Sequence, residues 1–282
     1  MPTVLITGAS SGFGLAAAIE LAKRNWTVVA TMRDLKKRGE LDKQIAAAGL
    51  SNRITVDQLD VSNQASIDRA TANLNLDNRP LDAVVHNAGV AIGGAFEDLS
   101  DAQVRHVLDV NFFGVLALTR RLLPHFRTRQ QGRIVVISSE VAFAGQPAIS
   151  PYCASKWAIE GWAESLAYEV AHFNIDVVLI EPGAFKTNIW DSSPRVIPEG
   201  SAYKPLVDHL EAAVAEHVEL TAGDPHEVAV VIAKALEARR PKFRYAVGRT
   251  ARIGHFLKGK IATRFHRKLV NRYFALNRIR WP

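Results

Sequence analysis

Short apolar runs alternate along the chain with longer segments in which apolar residues recur at helical spacing. The runs predict strands buried on both faces, at residues 4–7, 28–31, 54–59, 83–85, 134–138, 177–180 and 243–247. The longer segments predict helices at residues 13–25, 40–48, 65–74, 101–127 and 151–173. This alternation favours an α/β fold, a single doubly wound domain whose seven-stranded parallel sheet carries helices on both faces.

The length and composition of the chain further limit the class of protein that it can be. The 282 residues suit one α/β domain, and no apolar run approaches the ~20 residues of a membrane-spanning helix. The first predicted strand begins at once, without the pattern of a secretory signal. Cys153 is the single cysteine, so neither an intrachain disulfide nor a thiol metal cluster can form. These features indicate a cytoplasmic protein without a bound metal.

Charge divides the chain unevenly. Residues 239–282 contain fourteen Lys and Arg and no Asp or Glu, whereas the whole chain carries +7, so residues 1–238 carry −7. We therefore predict a catalytic domain over residues 1–248 and a basic tail over residues 249–282. A substrate-loop region is expected within the domain at residues 184–222, and its stretch 191–204, rich in Ser, Pro and Gly, indicates a loop.

A glycine-rich turn follows the first predicted strand and opens a helix. Its residues are Gly8, Ser10, Ser11, Gly12, Phe13 and Gly14. Glycines at these positions let the backbone turn tightly and approach a pyrophosphate, which then lies at the helix N-terminus. A plain strand–helix connection is the alternative, but the place of the turn after the first strand favours dinucleotide binding.

Tyr152 and Lys156 lie four residues apart, so a helix places them on one face. A phenol with a pKa near ~10 is a poor acid or base at neutral pH. A neighbouring ammonium is expected to stabilise the phenolate and to lower that pKa. The pair predicts acid–base chemistry.

Three further signals accompany these motifs: the sequence Asn87-Ala88-Gly89, then Asn111, and then Ser139, thirteen residues before Tyr152. In this order the set resembles the short-chain dehydrogenase/reductase family, in its one-domain branch. The stretches 30–34 and 152–161 resemble those of the members that include 17β-hydroxysteroid and retinol dehydrogenases. The resemblance covers residues 3 to about 190 and implies a Rossmann fold.

The resemblance also implies a role for each matched residue. Tyr152 would be the proton donor, Lys156 would lower its pKa and hold the nicotinamide ribose, Ser139 would bind the substrate oxygen, and Asn111 would complete a water-linked proton relay. The further cofactor contacts implied are Asp60 and Val61 at the adenine, Asn87, Ala88 and Gly89 along the cofactor, and Pro182, Gly183 and Thr187 at the nicotinamide. His86 replaces the first Asn of the family's motif, and a structural role is favoured for it.

The end of the second strand bears on the choice of cofactor. Met32 stands where NAD-binding folds place a carboxylate for the ribose, and Arg33 follows it. A guanidinium suits a 2′-phosphate, to which Ser11 offers a hydroxyl, so we predict NADP(H). Asp34 could serve the ribose instead, and NAD(H) stays the less favoured alternative.

The expected substrate pocket is apolar and aromatic, formed by Phe96, Val141, Phe143, Phe185 and Trp190. It favours a hydrophobic ketone or aldehyde and its alcohol, in the steroid, retinoid or lipid class.

The leading hypothesis is an NADP(H)-dependent alcohol dehydrogenase or carbonyl reductase. The alternative is a redox-sensing scaffold that binds NADP(H) without turnover. An epimerase or dehydratase of the extended branch is disfavoured, because the chain lacks a sizeable C-terminal substrate domain. In relatives the segments matching 101–127 and 151–173 form subunit contacts, so a homodimer or homotetramer is expected.

The tail has the pattern of a cationic amphipathic helix. Its apolar positions recur every four residues, at Ile253, Leu257, Ile261, Phe265, Leu269 and Tyr273, with Lys260, Arg264, Arg267, Lys268 and Arg272 between them. It could lie on an anionic membrane as a peripheral contact, or pack on the acidic body as a lid or oligomer element. No nucleic-acid partner is expected, because no recognition module accompanies the charge.

Vesicle sedimentation separates the two interpretations of the tail. If the tail lies on a membrane, the protein pellets with anionic vesicles at low salt, because basic side chains are attracted to the anionic surface. Removal of residues 250–282 should then abolish pelleting, and neutral vesicles serve as the control. A protein that stays in the supernatant at low salt would contradict the membrane interpretation.

Overall fold

A computed structural model of the chain describes residues 1–187, 189, 193–257, 268, 270–272 and 274–279, with the backbone alone for residues 215–221, 257 and 277. Its seven strands form one parallel sheet in the order β3-β2-β1-β4-β5-β6-β7. They are β1 Thr3–Ile6, β2 Thr27–Met32, β3 Ile54–Gln58, β4 Ala83–His86, β5 Gly132–Ile137, β6 Ile175–Pro182 and β7 Arg244–Val247. The strand order reverses between β1 and β4, and in such sheets ligands bind beside the strand ends at that point.

The helices cover both faces of the sheet, as the sequence predicted. They are α1 Gly12–Lys23, α2 Gly39–Ala47, α3 Gln64–Asn73, α4 Asp101–Leu108, α5 Gly114–Arg129, α6 Ser150–Val170, α7 Lys204–Thr221, α8 Pro225–Glu237 and α9 Arg249–Leu257. Apolar side chains of α1, α2 and α8 pack on one face, and those of α3, α5 and α6 pack on the other. Within the residues described, no helix combines the length and apolar character needed to span a membrane.

The alternation of side chains along each strand explains the two core layers. In β1, Val4 and Ile6 join the first core layer, whereas Leu5 between them joins the second. Successive strand residues point to opposite faces, so a strand covered by helices on both sides needs apolar residues at every position.

The predicted helix 101–127 is two helices. The chain forms a π-helical turn over Asp109–Phe113, between α4 and α5. The apolar spacing continues through this turn, so periodicity alone did not reveal it. Such turns occur often at functional sites, and this one contains Asn111. Helices α7 and α8 were not predicted, and the expected loop at 191–204 ends where α7 begins.

His86 lies at the end of β4 and is almost completely buried. Its Nε2 is 2.8 Å from the Thr119 hydroxyl of α5. Burial lowers the pKa of the imidazole to about 3, so His86 is neutral in the folded protein at neutral pH. This placement gives His86 a packing and hydrogen-bonding role between sheet and helix.

The buried histidine predicts an acid sensitivity. Unfolding exposes His86, whose pKa then returns to about 6.5, so stability falls as the pH drops below that value. The side chain that replaces the histidine in His86→Asn does not titrate. Between pH 7 and pH 5, the free energy of unfolding of this variant should therefore fall by about 2 kcal/mol less than that of the wild type. Chemical denaturation at both pH values measures this. His106→Asn, exposed on α4, is the matched control. An equal loss in wild type and His86→Asn would contradict the prediction.

Candidate active site

The four predicted catalytic residues meet at the carboxyl edge of the sheet. Ser139 follows β5, Asn111 lies in the π turn, and Tyr152 and Lys156 occupy successive turns of α6. All four side chains are buried. Residues from three separate parts of the sequence are therefore brought to one place by the parallel strands.

The Tyr152 phenol is hydrogen-bonded to the Ser139 hydroxyl. Ser139 also accepts a hydrogen bond from the backbone N–H of Val141, at 3.3 Å. Ser139 is thus in contact with the tyrosine that follows it thirteen residues later in the sequence. Two hydroxyl groups side by side can both donate to one carbonyl oxygen.

Lys156 lies behind the tyrosine. Its Nζ donates to the backbone carbonyl of Ile137 at 2.9 Å and is 5.6 Å from the centre of the Tyr152 ring. Burial lowers the pKa of Lys156 to about 8, against the opposing charge of Glu160. The lysine is thus poised to exchange its proton near neutral pH.

The ionisation of Tyr152 differs from the sequence expectation. Burial raises the pKa of the phenol to about 12, and the hydrogen bond from Ser139 offsets only part of that rise. The lysine was expected to lower this pKa, but it lies beside the ring and is itself desolvated. In the protein alone, therefore, Tyr152 holds its proton throughout the neutral range.

Asn111 joins the loop after β4 to helix α6. Its Oδ1 accepts from the backbone N–H of Val90 and its Nδ2 donates to the carbonyl of Val90, both at 2.8 Å. The same Nδ2 donates to the Ser155 hydroxyl at 3.0 Å, and that hydroxyl donates to the carbonyl of Tyr152. Asn111 therefore fixes the loop after β4 against α6. Ser155 was not predicted as a site residue, although it lies inside the Tyr152–Lys156 motif.

The glycine-rich turn is held against the loop after β4. The Thr7 hydroxyl accepts from the backbone N–H groups of Asn87 and Ala88, each at 3.0 Å. The Asn87 amide donates back to the carbonyls of Thr7 and Gly8, at 2.9 Å. Gly8 has φ +68°, and a Cβ there would lie 2.8 Å from Ala88 Cα. The turn thus needs glycine at this position and Asn87 and Ala88 beside it.

The start of α1 suits a bound anion. Its first turn contains no acidic side chain, and its N-cap, Ser11, makes no capping hydrogen bond with its side chain. The N-terminal amide groups can therefore bind a phosphate oxygen. Gly12 has φ +55° and faces Thr187, so a predicted nicotinamide contact lies directly across the turn. Ser10 and Phe13 are partly exposed beside it. These features fit the pyrophosphate of a dinucleotide.

The end of β2 presents one cation. Met32 is buried, whereas the side chain of Arg33 is exposed. The Asp34 carboxylate caps a short 3₁₀ turn by accepting from the backbone N–H of Lys36 at 3.0 Å. Asp34 thus has a local capping role, and Arg33 is the exposed cation that this strand end offers to a ligand.

The remaining predicted cofactor contacts also lie at this edge. The Asp60 carboxylate accepts from the backbone and hydroxyl of Ser62, at 3.0 and 2.6 Å, and Val61 is buried beside it. A Cβ on Gly89 would lie 3.4 Å from Asn111 Oδ1. Pro182 ends β6, and Gly183 donates its backbone N–H to Val247.

A small apolar cluster surrounds Tyr152. It includes Ala91, Ile92, Leu99, Val107, Val141 and Cys153, with Ile189 and Val196 packed against it. Of the predicted pocket residues, Val141 belongs to this cluster, Phe143 is partly buried nearby, and Phe96 is largely exposed. Ile92 and Val196 were not singled out, since isolated aliphatic residues carry no local signal of a pocket.

Two further residues were predicted for the substrate pocket, Phe185 and Trp190. Phe185 is buried in the core between α1 and β7, where its ring packs edge-on against Phe13 at 5.6 Å. This placement does not support a pocket role for Phe185, because a β-bridge to Gly223 and contact with Gly248 enclose the ring. Trp190 lies outside the described residues. In the described part of the chain, no group of His, Cys, Asp and Glu is placed to hold a metal ion.

The described parts of the tail pack on the body. Ala251 of α9 is completely buried, and Phe274 is buried with its carbonyl 2.7 Å from Nε2 of His209 in α7. Residues 258–267, with Ile261, Phe265, Lys260, Arg264 and Arg267, lie outside the described residues, as do Leu269 and Tyr273. The residues by which α9 contacts the site were not predictable from its amphipathic pattern, because that pattern does not identify the surface that the helix meets.

The fold and this edge of the sheet define a dinucleotide-binding oxidoreductase with a Tyr–Lys–Ser–Asn site. Residues 2–196 match the family model described as short chain dehydrogenase. Because this match covers more than half of the chain, the protein belongs to the short-chain dehydrogenase family.

Related sequences and structures agree with this assignment. The chain is 38% identical to retinol dehydrogenase 8 of Bos taurus, over 86% of this chain and 80% of that one. It is 36% identical to human 17-beta-hydroxysteroid dehydrogenase type 1, over 86% and 76%. A short-chain dehydrogenase structure from Streptomyces avermitilis matches with a TM-score of 0.78 and 33% identity, over 98% of this chain and 97% of that one. One from Burkholderia phymatum, in complex with NAD, matches with a TM-score of 0.74 and 25% identity, over 86% and 88%.

Proposed function

We propose that the protein is an NADP(H)-dependent oxidoreductase that interconverts a hydrophobic ketone or aldehyde and its alcohol. The observation that carries the proposal is the buried pair of hydroxyl groups, Ser139 and Tyr152, with Lys156 5.6 Å from the Tyr152 ring. Two adjacent donors beside a lysine are the arrangement that polarises a carbonyl and protonates the oxygen as it gains electrons.

In the direction of reduction, a nicotinamide cofactor bound beside the glycine-rich turn would supply a hydride to the carbonyl carbon. Ser139 donates a hydrogen bond to the carbonyl oxygen and orients it toward Tyr152. Tyr152 holds its proton because burial raises its pKa to about 12, and it transfers that proton to the oxygen as the C–H bond forms. Lys156 then stabilises the phenolate by its charge. Oxidation of the alcohol reverses these transfers.

Asn111 contributes to this site by position. Its side chain holds Val90 and Ser155 at hydrogen-bond distance, which keeps the loop after β4 beside the helix that carries Tyr152 and Lys156. The water-linked relay through Asn111, which the family resemblance implies, stays a prediction.

The substrate class follows from the walls of the site. Aliphatic side chains around Tyr152, among them Val141, Ile92 and Val196, provide an apolar surface. The names of two relatives, a retinol dehydrogenase and a 17-beta-hydroxysteroid dehydrogenase, refer to apolar alcohols. A steroid, retinoid or lipid-like carbonyl is therefore the substrate class that we favour.

The choice of NADP(H) rests on the end of β2. Met32 is buried and offers no carboxylate to a ribose, Asp34 is engaged in capping, and the Arg33 guanidinium is exposed beside them. A guanidinium binds a phosphate with two parallel hydrogen bonds. NAD(H) is the less favoured cofactor, because the nearest carboxylate, Asp34, already accepts a hydrogen bond from the backbone N–H of Lys36.

We also infer self-association as a homodimer or homotetramer. Phe113, next to the start of α5, and Trp157 of α6 are each about half exposed, at 55% and 52%. Contiguous apolar surface is typical of protein–protein contacts, and the two elements that carry these side chains, the π turn and α6, are in contact. The tail is proposed to belong to the catalytic body, in line with the burial of Ala251 and Phe274. Peripheral membrane contact, a cytoplasmic location and the lack of a nucleic-acid partner stay predictions.

The first test is turnover. Purified protein should oxidise NADPH in the presence of apolar ketones or aldehydes, and Tyr152→Phe should lower kcat by about a thousandfold, since the proton donor is lost. Absorbance at the nicotinamide band measures the rate. Tyr168→Phe, on the exposed face of α6, is the matched control and should keep full activity.

Two outcomes would contradict the turnover proposal. Activity that survives in Tyr152→Phe would remove the role assigned to the phenol. Cofactor binding of equal affinity in both proteins, with no turnover of any carbonyl in a broad panel, would favour the redox-sensing scaffold.

The second test is cofactor choice. Arg33→Ala should raise the Kd for NADPH by about 10- to 100-fold, since one charged hydrogen-bonding partner of the phosphate is lost. The Kd for NADH should stay unchanged, because NADH has no 2′-phosphate. Nucleotide fluorescence titration measures both constants, with Lys36→Ala as a control for exposed charge near the same strand end. Tighter binding of NADH than NADPH by the wild type would overturn the assignment.

A further inference from the structure

Helix α9 begins the basic tail, beyond the part of the chain that matches the family model. It follows β7 directly and packs on that strand and on the short 3₁₀ turn Glu140–Ala142. Ala251 is the fully buried anchor of the helix, whereas Arg252 and Ile253 on its other side are exposed. One face of α9 is thus applied to the loop that follows Ser139. We name this helix, residues 249–257, the strap.

The first contact of the strap is polar. The Thr250 hydroxyl donates a hydrogen bond to the Glu140 carboxylate, and Glu140 is the residue directly after Ser139. Thr250 and Glu140 both lie against Gly183, the glycine of the predicted nicotinamide segment. A single hydroxyl of the tail therefore contacts the loops after β5 and after β6. Glu140 is mostly buried, and burial raises the pKa of its carboxyl, so the loss of its donor would be costly.

The second contact is made one helical turn further along. His255 Nδ1 lies 3.1 Å from a Glu181 carboxylate oxygen, and Glu181 directly precedes Pro182 and Gly183. Glu181 is completely buried, and its other oxygen is 3.3 Å from Nε of Arg244 in β7. His255 thus fastens the strap to the end of β6.

The third contact is apolar and involves the far end of the same loop. The Phe143 ring meets the His255 imidazole edge-on, with centroids 5.7 Å apart and an angle of 71°. Gly254 lies under the same ring, with a Cβ built there 3.1 Å from Phe143. The loop is therefore held by the strap at Glu140 and again at Phe143, on either side of Val141.

These contacts affect the position of Ser139. Ser139 accepts the backbone N–H of Val141, which lies between the two held residues, and is hydrogen-bonded to Tyr152. Ser139 therefore keeps its place only while the 3₁₀ turn behind it keeps its shape. A misplacement of about 1 Å at a reacting group can cost about 100-fold in rate.

We propose that the strap is part of the active site, and that Thr250 and His255 are positioning residues that hold the Ser139 loop against Tyr152. The inference rests on the proposed function for its effect on rate, whereas the ordering of the loop is independent of turnover. It assigns to the start of the tail a role in catalysis that its basic composition does not suggest.

Hydrogen exchange in the full-length protein tests the ordering. Amides in peptides that cover residues 139–149 should exchange about tenfold faster in Thr250→Val, which keeps the shape of the side chain and loses the hydroxyl. Thr250→Ser keeps the hydroxyl and should exchange like the wild type. Arg252→Gln, on the exposed side of the strap, is the matched control. Equal exchange in Thr250→Val and wild type would overturn the proposal.

Kinetics provide the second readout. In Thr250→Val, kcat for the carbonyl should fall about tenfold with little change in its KM, because Ser139 acts mainly on the developing oxyanion. Thr250→Ser should restore kcat. A uniform rise in KM at constant kcat would contradict a positioning role.

His255 gives an independent pair of variants. His255→Leu should increase exchange at residues 139–149, and His255→Gln, whose amide can still donate to Glu181, should restore most of the protection. If His255→Leu leaves this exchange unchanged, the strap does not order the loop. If the wild-type protein turns over no carbonyl, the proposed function fails, and the exchange comparison still decides the inference.

Discussion

The burial of Tyr152 and Lys156 is the constraint on which the site depends. A phenol and an amine are placed together where water is excluded, and the low polarity of that place disfavours the charged form of each. Each group therefore needs a partner that keeps it in position without water. Ser139 is hydrogen-bonded to the phenol of Tyr152, and the Ile137 carbonyl accepts a hydrogen bond from the amine of Lys156. Burial also keeps the phenol protonated, which is the state that the reduction of a carbonyl requires.

The loops around this pair are held by side chains that bond to backbone. Thr7 and Asn87 connect the glycine-rich turn to the loop after β4. Asn111 connects that loop to α6, with Ser155 as the intermediate. Each connection joins the carboxyl end of a different strand. The parallel order of the strands brings these ends to one edge, and the hydrogen bonds convert that proximity into a fixed geometry.

Residues of the basic tail also contact the site. The family match covers residues 2–196, yet Thr250 and His255 contact Glu140, Phe143 and Glu181 around Ser139. A mildly acidic body and a basic tail attract each other, and the described parts of the tail are in contact with the body. The same charge that is compatible with an anionic membrane surface is thus also compatible with an internal structural role.

The alternation of apolar strands and helices determined the fold class, because a parallel sheet covered on both faces needs that pattern. All seven strands were predicted within about two residues, and the glycine turn and the Tyr152–Lys156 pair were recognised by spacing. Only the tertiary structure decided the rest. The π turn at Asn111, the engagement of Asp34, the burial of Phe185 in the core and the contacts of α9 with the Ser139 loop depend on neighbours distant in sequence, and the pKa values of Tyr152 and Lys156 depend on how deeply both groups are buried.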